Sequence, residues 1–265
     1  MAYPVKAVIF DWAGTMVDFG CMAPVHALVE VFDAEGVALS EAEARADMGK
    51  AKRDHLAAIL ANPDVAARWL KRFGSPSGEA DIDRVYAKLE PAMAAAAAKA
   101  SELIPGAAEC FAELTRLGIR IGSGSGYTPQ MMAAIRESAA RQGYQPEVVI
   151  CSGDTPSGRP APLMTWAALI QLDAWPASHC IKVDDAPVGI AEGRNAGCWT
   201  VGIAASGNEV GLTRDDFLLL PHDERLARVA EATRRLKDEG ADFVINDVAE
   251  LLPVVHEIAE RIAAE

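Results

Sequence analysis

The sequence predicts an α/β protein: a Rossmann-like parallel sheet core with an inserted all-helical cap domain. Three observations carry this expectation. Residues 5–10, "VKAVIF", read as a short buried strand that ends at Asp11. Residues 22–100 then read as helix almost throughout, with no strand-like alternation. From residue 105 onward, strand-like and helix-like segments alternate, which is the rhythm of a parallel sheet covered by helices on both faces. The expected division is residues 1–20 and 101–265 for the α/β core and 21–100 for the helical cap.

Each element has a local reason. "APVHALVEVFDAEG" places apolar residues at helical spacing, with Gly36 after its end. "SEAEARADMGKAKRDHLAAIL" opens with Ser40 and Glu43, the spacing of a capping box, and reads as one helix. "PDVAARWLKRFG" and "EADIDRVYAKLEPAMAAAAAKA" are the next two helices, the Ala-rich stretch extending the last until Pro105-Gly106 stops it. Then follow "PGAAECFAELTRLG" as helix, "IRIGSGSG" as strand, "TPQMMAAIRESAARQG" as helix and "PEVVICSGD" as strand. "PAPLMTWAALIQLDAW", "HCIKVDD", "APVGIAEGRNAG" and "CWTVGIAAS" continue the alternation, and "DERLARVAEATRRLKDEG", "ADFVIND" and "VAELLPVVHEIAERI" complete it. The segment around Leu218-Leu219-Leu220 is longer than a core loop needs, and its leucines are expected to pack against the cap or a second subunit. Trp12, Trp69, Trp166, Trp175 and Trp199 read as core or half-buried, and His26, His179, His222 and His256 as incidental.

Composition excludes several classes. With 25 Lys and Arg against 38 Asp and Glu, the net charge is −13, which disfavours nucleic acid and anionic membrane as partners. An anionic substrate needs a local basic pocket against that field. No apolar run approaches the ~20 residues of a membrane span. The five cysteines are widely spaced and form no CxxC pair, so reduced thiols in a cytoplasmic protein are expected. "MAYPVKAVIF" has no secretion-signal pattern.

Ligands of such sheets bind at the carboxyl ends of the strands. There the sequence places Asp11, then Ser125-Gly126-Tyr127, then Arg159, then Asp184-Asp185. Three carboxylates so close need a divalent cation between them, and all-oxygen ligands suit Mg²⁺. Ser125, the amides around Gly126 and the fork of Arg159 suit a phosphoryl group. Each feature alone has an ordinary structural explanation: a cap, a turn, a surface arginine. Their convergence on one edge points to attack of Asp11 on phosphorus.

The order Asp11…Thr15, Ser125, Arg159, Asp184-Asp185 resembles the haloacid dehalogenase superfamily of phosphotransferases. In ordinary members a second aspartate, two residues after the nucleophile, protonates the leaving group; here that place holds Ala13. The missing acid fits a dead enzyme, a different acid, or a leaving group that needs no such proton. A P–C bond beside an imine fits the last, because the electrons flow into the imine. That chemistry needs a lysine with a lowered pKa. Lys52 is the candidate: with Met48 and His55 it shares one face of the expected helix, whereas Lys50 lies opposite, beside Asp54. His55 is placed to shuttle protons.

"FDWAGT", "DFGCMAP", "MGKAKRDH", "GSGSGYT" and "GRPAP" together resemble the phosphonoacetaldehyde hydrolase (phosphonatase) family. The resemblance implies Asp11 as nucleophile, Lys52 as Schiff-base lysine and His55 as its histidine. It implies Cys21, Met48, Gly49 and Tyr127 lining the substrate pocket, and Ser125, Gly126 and Arg159 on the phosphonate. For Mg²⁺ it implies Asp11, the Ala13 carbonyl and Asp185. The chain departs from the pattern in having Ser125 where Thr also occurs, and no acid four residues after Asp185, so Asp184 is expected to supply the second carboxylate. The implied reaction converts a phosphonate, phosphonoacetaldehyde, to acetaldehyde and phosphate. The alternatives are a phosphate-ester phosphatase or mutase of the same superfamily, or a non-catalytic phosphate-binding protein. A homodimer formed through the caps is implied by the family alone.

Overall fold

The structure is a computed structural model that describes residues 3–264. Six parallel strands form one sheet in the order β3-β2-β1-β4-β5-β6. They are β1 (Ala7–Phe10), β2 (Arg120–Ser125), β3 (Val148–Cys151), β4 (Cys180–Asp184), β5 (Trp199–Ile203) and β6 (Phe243–Ile245). Chain order reverses across β1, so the crevice between β1 and β4 is the switch point where a ligand fits such a sheet. The register pairs Phe10 with Ser123 on one side and Val183 on the other, which brings Asp11, Gly124 and Asp184 to the same level. The Asp11 N–H continues the ladder to the Val183 carbonyl at 2.9 Å.

Alternation along β1 explains the layers. Val8 and Phe10 face one side and join the large core shared with α6 (Ala107–Arg116), α7 (Pro129–Arg141) and α12 (Leu251–Ala263). Ala7 and Ile9 face the other side and pack on Met164, Ala168 and Leu169 of α8 (Leu163–Gln171). α9 (Pro187–Ala196) and α11 (His222–Asp238) complete that second layer. The helix before β6 is preceded by a short one absent from the sequence reading, α10 (Arg214–Leu219), whose first turn Thr213 caps by accepting from the Asp216 N–H.

Between β1 and α6 lie five helices: α1 (Met22–Glu35), α2 (Glu41–Arg45), α3 (Lys52–Ala61), α4 (Pro63–Phe73) and α5 (Glu79–Lys99). α5 packs along α1 and α3, and reaches the core by lying on α7. Gly36, at φ 74°, ends α1, and Ser40 with Glu43 forms the expected capping box. α5 runs through Pro91 and ends at Lys99, short of Pro105-Gly106.

Three expectations need correction. The segment from Ser40 is two helices, not one: α2 stops after Arg45, and Asp47 (φ 60°) and Gly49 (φ 94°) turn the chain before Lys52 opens α3. Met48 therefore sits in a loop, and Lys50 pairs with Asp47 instead of Asp54. The break has a steric cause: a Cβ on Gly49 would lie 2.8 Å from Val188 of α9, so this loop approaches the core too closely for a side chain. The second correction is that Trp166 and Trp175 are exposed, at 43% and 76%. Trp166 lies on the outer face of α8, its indole N–H donating to the Ala196 carbonyl at 3.1 Å. The third is that Leu218 and Leu219 of α10, 52% and 82% exposed, do not pack on the insert of the same chain; Phe217 is the residue that packs inward, on Phe19. Among the described residues no helix is long and apolar enough to cross a membrane.

Candidate active site

The carboxyl ends of β1, β2 and β4 meet the loop between α2 and α3 over a small cavity. Its walls include Asp11, Ala13, Cys21, Met48, Gly49, Lys52, Ser125, Gly126, Tyr127, Arg159 and Asp185, joined by Pro24 and Ala186. The free space is about 20 Å³, room for about one water molecule. Two expected site residues, His55 and Asp184, lie just outside the walls.

The buried charges form one network. An Arg159 guanidinium nitrogen, Nη2, lies 2.8 Å from Asp11 Oδ1 and 3.3 Å from Asp184 Oδ2. The same nitrogen donates to the Gly124 carbonyl at 3.0 Å, and Nε reaches Glu192 of α9 at 2.9 Å. Lys182, fully buried in mid-strand, lies 2.9 Å from Asp184 and 3.4 Å from Glu192. Glu192 also accepts from the Thr165 N–H at 3.0 Å, which fixes its carboxylate. Burial works against charge on Asp184, but Arg159 and Lys182 hold its carboxyl below the usual range. Burial and Asp184 push Asp11 up to about 6, against the pull of Arg159 and Lys182. Burial, Asp11 and Asp184 push Asp185 well up.

This set fits a divalent cation. Asp11, Asp184 and Asp185 each bring a carboxylate oxygen within 4.8 Å of the others. Fully ionised, the four carboxylates outnumber Arg159 and Lys182 by two charges, which a dication offsets. Asp185 is aimed by the Asn208 N–H (2.7 Å) and the Thr15 hydroxyl (3.3 Å). Asp184 is already engaged by Lys182, Arg159 and the Ala186 N–H. Its presence explains the missing acid at 189: a Cβ on Gly189 would lie 2.0 Å from the Asp184 carboxyl carbon, so one carboxylate fills the room of both.

Lys52 faces the carboxylates from the helical insert. It is 3% exposed, its Nζ 3.7 Å from Met48 Sδ and 5.1 Å from the Tyr127 ring centroid. Burial pulls its ammonium down to about 8, against the attraction of Cys21 and Asp11. Met48 thus meets Lys52 across a loop and not along a helix. His55 sits on the next turn of α3 with Nε2 2.6 Å from the Ala46 carbonyl and Nδ1 unpartnered. Burial, helped by Lys52, pulls its imidazole down to about 3, so it is neutral at ordinary pH. The Tyr127 hydroxyl is buried without a partner beside the same cavity. Ser125 Oγ accepts from the Tyr127 N–H at 3.1 Å, which shapes the turn at the end of β2.

Asp18 is the other acid in the loop after β1, and it is not free to act on a ligand. Both its oxygens accept from the first N–H groups of α1, Met22 and Ala23. The sequence reading passed over Lys182, Glu192 and Asn208, and quoted Thr15 only as part of the family pattern. The first two carried a signal: a lysine inside "CIKVDD" and a glutamate on the inner side of "VGIAEGRNAG" are charges in apolar surroundings, where each requires a partner.

The model of haloacid dehalogenase-like hydrolases matches residues 5–197. A phosphonoacetaldehyde hydrolase of Paraburkholderia phytofirmans is 50% identical over 98% of this chain and 97% of its own. That of Bacillus cereus is 38% identical over 97% of both. The chain belongs to the phosphonoacetaldehyde hydrolase family of haloacid dehalogenase-like hydrolases. A solved structure of a family relative, a phosphonoacetaldehyde hydrolase like protein from Oleispira antarctica, superposes with a TM-score of 0.98 at 43% identity, covering 99% of this chain and 95% of that one. A β-phosphoglucomutase of Clostridium difficile shares the fold, with a TM-score of 0.69 at 16% identity over 98% of this chain and all of its own.

Two outcomes follow from this geometry. A Cβ on Gly126 would lie 2.5 Å from the Lys50 carbonyl of the insert. Gly126→Ala is therefore expected to hold the insert off the core and lower kcat/KM at least tenfold, with a melting temperature within a few degrees of the parent. His55 gives a stability signature. The unfolded chain binds a proton at His55 below pH 6.5, and the folded chain does so only near pH 3. Its contribution is intact above pH 6.5 and is lost as the pH falls, by about 1.4 kcal/mol per unit. In urea titrations between pH 7 and 5, His55→Gln should lose less stability than the parent.

Proposed function

We propose that this chain hydrolyses the P–C bond of phosphonoacetaldehyde, giving acetaldehyde and phosphate. The observation that carries this reading is a buried, cavity-lining Lys52, lowered to about 8, on the same small cavity as Asp11, where Ala13 offers no acid. The family relatives named as phosphonoacetaldehyde hydrolases support it.

In this reading residues 21–100 are the cap and the rest is the core. The neutral amine of Lys52 adds to the aldehyde carbon, and loss of water leaves an imine. Arg159, the Ser125 hydroxyl and the amides about Gly126 hold the phosphonate oxygens, while Cys21, Met48, Gly49 and Tyr127 enclose the carbon end. A carboxylate oxygen of Asp11 then attacks phosphorus in line. The P–C electron pair moves into the imine, leaving an enamine on Lys52 and a phosphoryl group on Asp11. Proton return to carbon and water attack on both adducts regenerate the amine and carboxylate. His55 acts through its place beside Lys52, where its neutral ring adds no second positive charge against the lysine. Asp11, Asp185 and the Ala13 carbonyl, with Asp184 alongside, would hold Mg²⁺, which when bound withdraws charge from the phosphoryl oxygens.

An ester phosphatase needs an acid beside Asp11. Ala13 has none, and Asp18 is committed to α1. The reading also includes a cytoplasmic setting, which suits five free, buried cysteines, and a homodimer through the cap, where Leu70 and Phe73 of α4 are 47% and 38% exposed.

Phosphate release from phosphonoacetaldehyde with Mg²⁺ should be lost in Lys52→Arg by at least a thousandfold. Borohydride added during turnover should attach a two-carbon unit to Lys52 alone. Because the amine must be neutral, kcat/KM should rise with pH through about 8. Equal phosphate release by parent and variant would sink the imine route. Sedimentation velocity should show a dimer that Leu70→Glu converts to monomer.

A further inference from the structure

Arg45 closes α2 at the outer edge of the insert, away from the reacting groups. Its guanidinium nonetheless touches both sides of the crevice. One terminal nitrogen donates to the carbonyls of Gly20 (2.8 Å) and Cys21 (3.5 Å), where the chain passes from core to insert, and to Asn208 Oδ1 (3.3 Å). The other donates to the Gly211 carbonyl (3.0 Å) and meets Met22 Sδ (3.1 Å). The fit is close: a Cβ on Gly211, at φ 64°, would lie 2.6 Å from Arg45 Nε. Among the described residues no carboxylate lies within ion-pair distance of it.

The contact leads onward to the site. Asn208 returns a side-chain N–H to the Arg45 carbonyl at 3.4 Å, and its backbone N–H is the one that aims Asp185. An open groove of about 620 Å³ lies beside Arg45 and Asn208 and shares the Met48 wall with the inner cavity.

We propose that Arg45 is a positioning residue, a latch that holds the insert shut on the core and, through Asn208, sets Asp185. This deepens the function proposed above and rests on its cap-and-core cycle. Carbonyl partners suit a latch that must release. Charge-assisted hydrogen bonds to neutral acceptors hold the closed form, and a half-buried guanidinium rehydrates at small cost on opening. The groove is the side from which water and substrate reach the site when it opens.

The test uses the full chain with a maleimide and peptide mapping. Cys21 lines the cavity at the hinge and reports opening of the insert; Cys110, buried in α6, reports global unfolding. Arg45→Met, which keeps the apolar stem, should speed Cys21 labelling at least tenfold and leave Cys110 unchanged. Arg45→Lys, which cannot span both carbonyl groups, should fall between. With phosphonoacetaldehyde, KM should rise about tenfold while kcat holds within about threefold. Equal acceleration at both cysteines, in Met and Lys variants alike, would make Arg45 merely structural and overturn the latch. Unchanged Cys21 labelling, or a loss confined to kcat, would overturn it too. The labelling arm does not depend on turnover. A parent that released no phosphate would therefore refute the proposed reaction while leaving the latch to be decided by Cys21.

Discussion

Removing a guanidinium from water costs several kcal/mol unless its N–H groups find partners and its charge a counterion. Arg159 is 5% exposed and meets both conditions with groups from four elements: Asp11 after β1, Gly124 in β2, Asp184 in β4 and Glu192 in α9. It also lies 3.4 Å from the Gly49 carbonyl of the insert. The strands therefore cannot shift relative to one another without exposing an unpaired buried charge. Lys182 does the same from below, tying Asp184 to Glu192. The site is rigid because its charges are mutually necessary, and a network completed by a dication and an anionic substrate has its donors already aimed.

Much of this was legible in the sequence. Apolar runs located β1, β3, β5 and β6, because parallel strands are buried on both faces, while β2 (RIGSGS) and β4 (CIKVD) were placed by the strand–helix alternation and the turns that end them. Among the cavity walls, Asp11, Ser125, Arg159 and Asp185 were legible because they sit at or follow strand ends that the topology brings together, whereas Cys21, Met48, Gly49 and Tyr127 came from the family resemblance. The α2–α3 break was missed because its cause is not local. Nothing near residue 49 shows that Val188, over a hundred positions on, lies where a side chain would go. Arg45 was invisible for a related reason. It bonds main-chain carbonyls, which every residue has, so no residue type in the sequence marks its partners.

Arginine also divides two kinds of attachment here. Arg159 is bound to carboxylates in the dry interior, and losing one partner would strand the other. Arg45 is bound to carbonyls at a wet margin, and parting leaves neutral groups that water satisfies. The first arrangement suits a part that should never move. The second suits a part that has to part from its partner and return.

The Asp184–Gly189 pair bears on how proteins of this shape are compared with one another. The carboxylate of a strand residue occupies the volume that a helix residue five positions later would otherwise claim. What this chain keeps is a carboxylate at a location and not in a column of aligned letters. A survey that scored position 189 alone would count this chain as having lost an acid. One that scored the volume would find it occupied, supplied by a different part of the backbone.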